Sequence, residues 1–294
     1  MLNLTRLNVF REVVGHGSFS AAADALSYSQ SAVSQAIATL EGEVGTALIE
    51  RRRDGARPTP AGSALAAHVD GILAQIESAE SEVAAIARGH GGHLRTASFP
   101  TAGSTLMPGA IAAFRASHPG VGVTLAEGEP EEIAPRLRAG EFDLVLLFEF
   151  EGVGERLSAG MRRYELRDDP LHLALPLDHP LAKRKRIELD DLREESWIQT
   201  SAQSPCAKHV VRSCHAAGFE PSVSFESDDY QTVQGLVAAG VGVALIPELA
   251  LSTVREDITV RALHPASPVR KVFAATPRAA AATPAVATMV DVLR

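Results

Sequence analysis

Short hydrogen-bonding side chains follow one another near the start of the chain at a spacing that fits one helix. They are Ser29, Gln30, Ser31, Ser34 and Gln35. A glutamine can pair bidentately with adenine, and a serine hydroxyl can donate to or accept from several base edges. The pattern predicts a helix whose N-terminal end could enter the major groove of a duplex. It also fits the polar solvent face of a small helical bundle.

A cluster of arginines follows this segment. Residues 1–60 hold six arginines against six acidic residues, a net charge of zero. Four of these arginines are Arg51, Arg52, Arg53 and Arg57. Phosphate attraction needs a local basic patch, so the net charge of −8 for the whole chain does not exclude DNA as a partner. Because Asp54-Gly55 is typical of a hairpin turn, we predict a small wing whose arginines contact phosphates or the minor groove.

The two cysteines raise a separate hypothesis of redox chemistry. Cys206 and Cys214 lie eight residues apart, so on one helix their Cα atoms would be ~12 Å apart. A disulfide requires less than ~7 Å, and the helix would have to unwind for the bond to form. Cys206 follows Pro205 directly and would lie in a first helical turn, where a thiolate is favoured. We favour two small, partly buried thiols, with redox sensing as the alternative.

Motifs that carry catalysis are missing from the sequence. It contains no glycine-rich phosphate loop, no His-Glu-x-x-His and no Gly-x-Ser-x-Gly. The acidic pairs Asp168-Asp169 and Asp190-Asp191 are predicted to lie solvated at turns, and the basic run 183–186 on a surface loop. His90 and His93 lie in a glycine-rich stretch without a nearby cysteine or carboxylate, which predicts a linker. We therefore predict no enzyme, no metal site and no cofactor.

Length and composition set the frame for these residues. A chain of 294 residues suggests two or three domains at ~100–200 residues each. Apolar residues make up 46% of the chain and charged residues 22%, an ordinary balance for a globular protein. The sequence has no uninterrupted apolar run of ~18 residues and no signal-peptide pattern at its start. We predict a cytoplasmic protein.

Three short helices are predicted to position the serine and glutamine side chains. The first has the apolar series Leu4, Leu7 and Phe10. It ends at residues 15–17, and the second begins with Ser20 as its N-cap and ends before a turn at Ser27-Tyr28. The third begins at the N-cap Ser29 and ends near Gly42. Its buried face is predicted to be Val33, Ala36, Ile37 and Leu40. This is the order of elements in a helix-turn-helix.

Residues 61–89 are predicted to form one long helix with an apolar stripe. The stripe recurs at steps of four and three: Leu65, Val69, Ile72, Ile76, Ala79, Val83 and Ile86. It must be buried either on its own domain or against a second copy of the chain. We favour an intermolecular coiled coil through Leu65, Val69, Ile72, Ile76, Val83 and Ile86. Such a pair would read a partly palindromic site.

The remaining two hundred residues alternate short apolar runs with helical patterns, which indicates an α/β sheet. Predicted strands are 94–98, 121–126, 144–148, 171–176, 197–200, 222–225 and 243–246. Predicted helices are 104–117, 130–139, 205–217, 229–239, 247–254 and 283–293. Ligands collect beyond the carboxyl ends of such strands, here the turns 99–104, 148–150 and 200–204. Two of these turns are rich in Thr and Ser and lead into helices that could face an anion, although ordinary capping explains them equally well.

Five short motifs near the start are similar to one known DNA-binding module. They are 17–23, 29–37, 40–41, 48–51 and 59–62. The segment resembles the winged helix-turn-helix of LysR-type transcriptional regulators, which implies that the serine, glutamine and arginine side chains above contact DNA. Two residues depart from the family pattern, Ser31 where proline is frequent and Gln35 where arginine is common. Losing that arginine removes one possible guanine contact.

Landmarks in the rest of the chain extend the resemblance. They are 94–95, 106–108, 114–115, 118–119, 140–144, 179–181 and 240–247. They resemble the LysR-type effector domain, whose fold is similar to periplasmic solute-binding proteins. The resemblance implies subdomain I of residues 93–164 and 268–294, and subdomain II of residues 165–267. The effector site that it implies consists of Phe99, Pro100, Thr101, Phe148, Thr200, Ser201 and Asp229.

The expected fold class is therefore α followed by α/β: a winged helix-turn-helix (1–60), a linker helix (61–89) and an effector domain (90–294). The resemblance implies a transcriptional regulator controlled by a small-molecule effector. The partners it implies are double-stranded DNA, a homodimer or homotetramer, and RNA polymerase. One branch of the family senses peroxide through two cysteines in a similar region, which keeps the redox alternative for Cys206 and Cys214 open. A solute-binding module without DNA function is the other alternative.

Overall fold

The computed structural model describes residues 2–52, 55–87, 92–151, 157, 159–278 and 283–294, without the side chains of 77–78, 81–82 and 84–87. These residues form two compact units, Met1–Gly92 with Arg138–Glu141, and His93–Leu137 with Phe142–Arg294. Each unit has its own hydrophobic core. The predicted wing residue Arg53 and the loop histidine His90 lie outside the described residues.

Four helices and a hairpin form the N-terminal unit. They are α1 (Leu4–His16), α2 (Phe19–Leu26), α3 (Gln30–Val44), β1 (Ile49–Arg52), β2 (Gly55–Pro58) and α4 (Pro60–Ala87). The core of this unit includes Phe10, Ala22, Val33, Ile37, Leu40 and Leu48. The predicted order of three helices followed by a hairpin is observed, and α3 continues two residues beyond the predicted end at Gly42.

The connection between α1 and α2 corrects one predicted cap. Ser18, not Ser20, is the N-cap of α2, because its extended backbone lets its side chain accept a hydrogen bond from the Ala21 N–H. Gly17 precedes it in the left-handed conformation and ends α1 where predicted, so α2 begins two residues earlier than predicted. Ser29 caps α3 as predicted and accepts from the Ala32 N–H.

The apolar stripe of α4 is divided between two environments. Val69 is 1% exposed inside the core of the N-terminal unit, and Leu65 and Ile72 pack against that core. Val69 is therefore covered by the chain's own helices, whereas Leu65 and Ile72 are only partly buried, and an intermolecular seam through these residues stays a prediction. Val83 is 67% exposed, and the side chain of Ile86 lies outside the described residues.

A seven-stranded mixed sheet forms the centre of the second unit, in the order β10-β6-β11-β5-β3-β4 with β9 paired to β6. Its strands are β3 (His93–Ser98), β4 (Gly122–Glu127), β5 (Leu144–Phe150), β6 (Met161–Pro176), β9 (Ala244–Pro247), β10 (Ile258–Arg261) and β11 (Val269–Pro277). Strands β7 (Ser196–Gln199) and β8 (Ser222–Glu226) pair in parallel. A bridge between Trp197 and Val243 links β7 to the chain just before β9.

Six α-helices and three short 3-10 helices complete the second unit. The α-helices are α5 (Pro100–Thr105), α6 (Met107–Ser117), α7 (Pro130–Arg138), α8 (Pro205–Ala216), α9 (Tyr230–Ala238) and α10 (Pro284–Leu293). The 3-10 helices are Pro180–Lys183, Leu189–Leu192 and Glu248–Leu251. The last of these is shorter than the helix predicted over 247–254. None of the described helices is long and apolar enough to cross a membrane.

Two turns predicted beside the candidate crevice are regular structure. Residues 148–150 continue β5, and residues 100–105 form the separate helix α5, which begins at Pro100, whose fixed φ suits a first helical position. The helix predicted over 104–117 is mostly α6. The strands β10 and β11 and the first half of β6 were not predicted. The acidic pair Asp168-Asp169 lies inside β6 rather than at a solvated turn. Its residues stand directly opposite Lys271 and Arg270 of β11, so cross-strand charge pairs offset the low strand propensity of aspartate.

Candidate functional sites

The exposed side of α3 carries the predicted base-contacting side chains. Gln30, Ser31 and Gln35 are exposed and Ser34 is half-buried, whereas Val33 on the opposite side is fully buried. We call Gln30, Ser31, Ser34 and Gln35 the polar face of α3. It presents hydrogen-bonding groups over the first two turns of the helix, as readout of base edges requires.

Ser29 has a different position from the polar face. Its hydroxyl caps α3 by accepting from the Ala32 N–H at 3.2 Å, and it lies 2.9 Å from the Ser31 hydroxyl. An N-cap serine holds the helix end in place. The predicted contact residue Ser29 is therefore positioned to orient the polar face.

The hairpin presents three described arginines, each on a short strand. Arg51 stacks over the ring of Phe19 in α2 with 4.3 Å to the ring centroid. Arg52 forms an ion pair of 2.9 Å with Glu50, and Arg57 stands opposite Glu50 on the paired strand. All three arginines are exposed. The carboxylate beside them weakens the positive potential of the wing, and the stacking on Phe19 fixes the direction of Arg51.

A glycine fixes where the hairpin stands. The Ala56 N–H donates to the Gly17 carbonyl oxygen at 2.7 Å. A Cβ added at Gly55 would lie 2.5 Å from that same oxygen, and Gly55 has φ +135°. Only glycine allows this close approach and this backbone conformation without strain. The wing is thus held against the turn between α1 and α2.

A small cavity in the second unit lies beyond the carboxyl ends of β3, β4, β7 and β8. It is lined by Phe99, Pro100, Thr101, Glu129, Phe148, Thr200, Ser204, Cys206, Asp228, Tyr230 and Arg270. Its volume is ≈ 20 Å³, which is enough for about one water molecule. The first residues of α5, α8 and α9 also lie in its wall. This is the position at which α/β sheets collect ligands.

A buried ion pair forms one side of the cavity. The Arg270 guanidinium donates from Nε to Asp169 Oδ2 and from Nη2 to Thr101 Oγ1, each at 2.6 Å. It also lies over the rings of Phe99 and Phe148, at 4.9 Å and 4.6 Å from their centroids. Arg270 is 2% exposed and Asp169 is fully buried. A charge buried this deeply is stable only when it is paired and hydrogen-bonded, as it is here.

Asp169 also ties this ion pair to another part of the sheet. Its second carboxylate oxygen, Oδ1, accepts from the Leu249 N–H at 3.0 Å. Leu249 belongs to the 3-10 helix that follows β9. The pair thus connects β6, β11, α5 and this 3-10 helix through three hydrogen bonds, and it fixes the position of the arginine in the wall.

Glu129 is a carboxyl of the cavity wall that titrates far from its ordinary range. Burial, together with the charges of Glu131 and Asp228, raises the pKa of its carboxyl to about 7, whereas the charge of Arg270 lowers it. The carboxyl therefore changes charge near neutral pH. Perturbed carboxyls in a cavity are frequent at functional sites.

The two cysteines lie on α8 in different surroundings. Cys206 lines the cavity and Cys214 lies in the hydrophobic core. Burial raises the pKa of the Cys206 thiol to about 11 and that of the Cys214 thiol to about 12. Both are therefore neutral thiols at pH 7, and a neutral thiol is a poor nucleophile toward peroxide. This argues against the redox alternative.

The structure brings together most of the predicted effector residues. Phe99, Pro100, Thr101, Phe148 and Thr200 line the cavity. Ser201 and Asp229 do not. The Ser201 N–H donates to Asp228 Oδ1 at 2.8 Å, and Asp229 caps α9 by accepting from the N–H groups of Gln231 and Thr232.

Six residues that line the cavity were not predicted to lie in it. They are Glu129, Ser204, Cys206, Asp228, Tyr230 and Arg270. Four of them lie within five residues of a predicted site residue, so wider windows around Ser201 and Asp229 would have included them. Arg270 lies on β11, which the sequence did not predict as a strand, and no sequence signal singled out Glu129.

Among the described residues, no group of three or more His, Cys, Asp or Glu could hold a metal ion. His93 instead lies 3.3 Å from the Thr124 hydroxyl through its Nε2. The polar face of α3 and the cavity are the two candidate sites, each within one unit. Together they are the features expected of a ligand-responsive DNA-binding protein.

Family models match both units. The model described as "Bacterial regulatory helix-turn-helix protein, lysR family" matches residues 4–63, and "LysR substrate binding domain" matches residues 87–294. The chain therefore belongs to the LysR family of transcriptional regulators. It is a DNA-binding regulator of transcription with a helix-turn-helix and a substrate-binding domain.

Individual relatives agree with this assignment. "Probable HTH-type transcriptional regulator LrrA" of Synechococcus elongatus is 34% identical, over 100% of this chain and 97% of that protein. "Transcriptional dual regulator GltC" of Bacillus subtilis is 32% identical, over 88% of this chain and 85% of that protein. The crystal structure of CbnR, a LysR family regulator, has the same fold, with a TM-score of 0.72 at 23% identity, covering 100% of this chain and 98% of that chain.

Proposed function

We propose that the polar face of α3 reads base edges in the major groove. The observation that carries this proposal is the division of α3 into a buried apolar side, which holds it in the N-terminal unit, and an exposed polar side. The wing arginines Arg51, Arg52, Arg53 and Arg57 contact the phosphate backbone in this proposal. Phosphate contacts position the protein on the duplex and base contacts supply specificity.

This proposal is tested on duplexes that the full-length protein selects from a random library. We expect Gln35→Ala to weaken binding to the selected duplex by roughly tenfold or more and to relax the preference at one base pair. Arg57→Ala should weaken selected and unrelated duplexes alike and reduce the salt slope by about 1. Gln75→Ala, an exposed glutamine on α4, is the matched control. An unchanged base preference in Gln35→Ala would contradict the assignment.

We propose that residues 1–60 form the DNA-binding domain, 61–89 the pairing helix and 90–294 the effector domain. Residues 93–164 with 268–294 and residues 165–267 act as its two subdomains. A small-molecule effector binds the cavity and changes the affinity for DNA or the contact with RNA polymerase. The protein acts by binding rather than by catalysis, as a homodimer or homotetramer, in the cytoplasm where the DNA is.

The effector assignment is tested by thermal unfolding of the full chain with a library of small metabolites. An effector should raise the unfolding temperature and shift the affinity for the selected duplex. Thr101→Val removes the hydroxyl that accepts from Arg270 and should weaken that effect. Ser252→Ala, an exposed hydroxyl on the same unit, is the control. A metabolite that stabilises wild type and Thr101→Val equally binds elsewhere and contradicts the proposed site.

A further inference from the structure

We propose that the cavity accepts a small zwitterionic molecule of the amino-acid class. In this proposal Glu129 and Asp228 bind its ammonium group, and Arg270 with the hydroxyls beside it binds its carboxylate. The inference rests on the proposed function, because it takes this cavity as the effector site. It adds the chemical class of the effector.

The charges around the cavity have two signs and are not balanced. Arg270 is neutralised by Asp169, its ion-pair partner at 2.6 Å. Glu129 and Asp228 line the same cavity, and the charge of Asp228 raises the pKa of the Glu129 carboxyl. The cavity is therefore acidic once the buried pair is subtracted. Above about pH 7, where Glu129 is charged, a ligand that carries only a carboxylate would meet two like charges, whereas a protonated amine compensates them.

Donors for a carboxylate also line the same cavity. A guanidinium has five N–H groups, and Arg270 directs Nε to Asp169 and Nη2 to Thr101. The hydroxyls of Thr200 and Ser204 lie 2.5 Å apart and also line the cavity. Arginine and hydroxyl donors are the groups that bind a carboxylate in proteins. A molecule with both charges pairs with the two carboxylates through its ammonium group and with these donors through its carboxylate.

The size of the cavity limits the ligand further. A volume of ≈ 20 Å³ is smaller than any amino acid, so the wall must move apart to admit one. The rings of Phe99 and Phe148 pack edge to face at 4.9 Å and leave an apolar wall for a short side chain. The proposal therefore favours small amino acids over nucleotides and large aromatic acids, which would require a larger movement of the wall.

Matched compounds test this chemistry on the full-length protein. We would measure thermal unfolding and calorimetric binding at pH 8 with the common L-amino acids, and with counterparts that lack the amine or the carboxylate. Alanine, propionate and ethylamine form one such triplet. We expect at least one amino acid to bind roughly tenfold or more tightly than both of its counterparts. If no amino acid binds, or if a deaminated acid binds as tightly as its parent, the proposal is overturned.

Variants separate this inference from the effector site itself. Glu129→Gln keeps the size of the side chain and should weaken the amino acid by roughly tenfold. Glu256→Gln removes the same charge from an exposed position of the same unit and should change nothing. Asp228→Asn gives an independent second reading if Glu129→Gln folds poorly.

Two results distinguish the possible failures. A plain carboxylate whose binding is weakened by Thr101→Val and unaffected by Glu129→Gln would overturn the zwitterion and leave the effector site in place. An amino acid whose binding is unaffected by Thr101→Val, Glu129→Gln and Asp228→Asn would overturn both assignments.

Discussion

Arg270 is the residue on which the geometry of the cavity depends most. It is buried, it pairs with Asp169, and its guanidinium lies over two aromatic rings of the cavity wall. The next residue along β11 forms a similar ion pair at the surface, since Lys271 pairs with the exposed Asp168 at 2.7 Å. Two adjacent cross-strand pairs therefore differ in burial and in the further hydrogen bonds that the buried pair makes with Thr101 and the Leu249 N–H.

We expect Asp169→Ala to cost about 3–5 kcal/mol of unfolding free energy, because it leaves the guanidinium buried without its partner. Asp168→Ala changes the neighbouring, exposed pair and should cost less than about 1 kcal/mol. Chemical denaturation of both variants measures the difference. Equal losses of unfolding free energy in the two variants would contradict the expectation that burial makes the Asp169 pair more costly to break.

Glu129 predicts a dependence of stability on pH. Its pKa is about 7 in the folded protein against an ordinary value of 4.5. The folded chain therefore holds a proton that the unfolded chain has released, and stability falls as pH rises from about 4.5 to 7. We expect Glu129→Gln to be more stable than wild type at pH 8, on the order of 2 kcal/mol, with a smaller difference at pH 5. Denaturation midpoints at the two pH values measure this, with Glu256→Gln as control. A constant difference would mean that the carboxyl titrates normally.

At the scale of elements, the wing depends on contacts that a hairpin pattern does not contain. The Asp54-Gly55 pair predicted a hairpin, and β1 and β2 pair as expected. The sequence offered no reason to place Gly55 against Gly17, a residue in another turn. That contact holds the hairpin beside α2. Together with the stacking of Arg51 on Phe19, it sets the position of the wing arginines relative to α2.

We expect Gly55→Ala to destabilise the N-terminal unit by more than about 1 kcal/mol and to weaken duplex binding. The added methyl group would lie 2.5 Å from the Gly17 carbonyl oxygen. Gly42→Ala is the control, since Gly42 lies in α3 and a Cβ added there would meet nothing within 4 Å. It should stabilise α3 by up to about 1 kcal/mol. Thermal unfolding and duplex titration of both variants give the comparison, and a neutral Gly55→Ala would contradict it.

At the scale of the whole molecule, the stripe of α4 links folding to assembly. The first half of the stripe packs in or against the core of the N-terminal unit, whereas Val83 in the second half is 67% exposed. An exposed valine in a long helix is stabilised when a second copy covers it. We infer that the pairing surface is the distal part of α4.

We expect Val83→Glu to shift the protein toward monomer and to weaken duplex binding, because two like charges would meet in the seam. Gln75→Glu adds the same charge off the stripe and should leave assembly unchanged. Light scattering after gel filtration measures the mass of each variant. A Val83→Glu protein with wild-type mass would move the pairing surface away from this part of α4.

Neighbouring residues are enough to predict the elements whose signals are local. Caps at Ser29, a turn at Ser27-Tyr28, the apolar spacing in α1 to α4 and the strands with continuous apolar runs all follow from neighbouring residues. The family resemblance was also contained in short motifs, and the matches over residues 4–63 and 87–294 confirm it. Five residues that line the cavity came from turns at strand ends.

Features that depend on distant residues could be established only from the folded chain. Asp168 and Asp169 looked like a turn because their partners on β11 lie about a hundred residues later. The apolar spacing of α4 predicts Val69 in the seam, because such spacing indicates a buried side chain but not which surface covers it. Arg270 and Glu129 entered the cavity from segments without a local signal. In each case the position of the residue is stabilised by a contact between parts of the chain that only folding brings together.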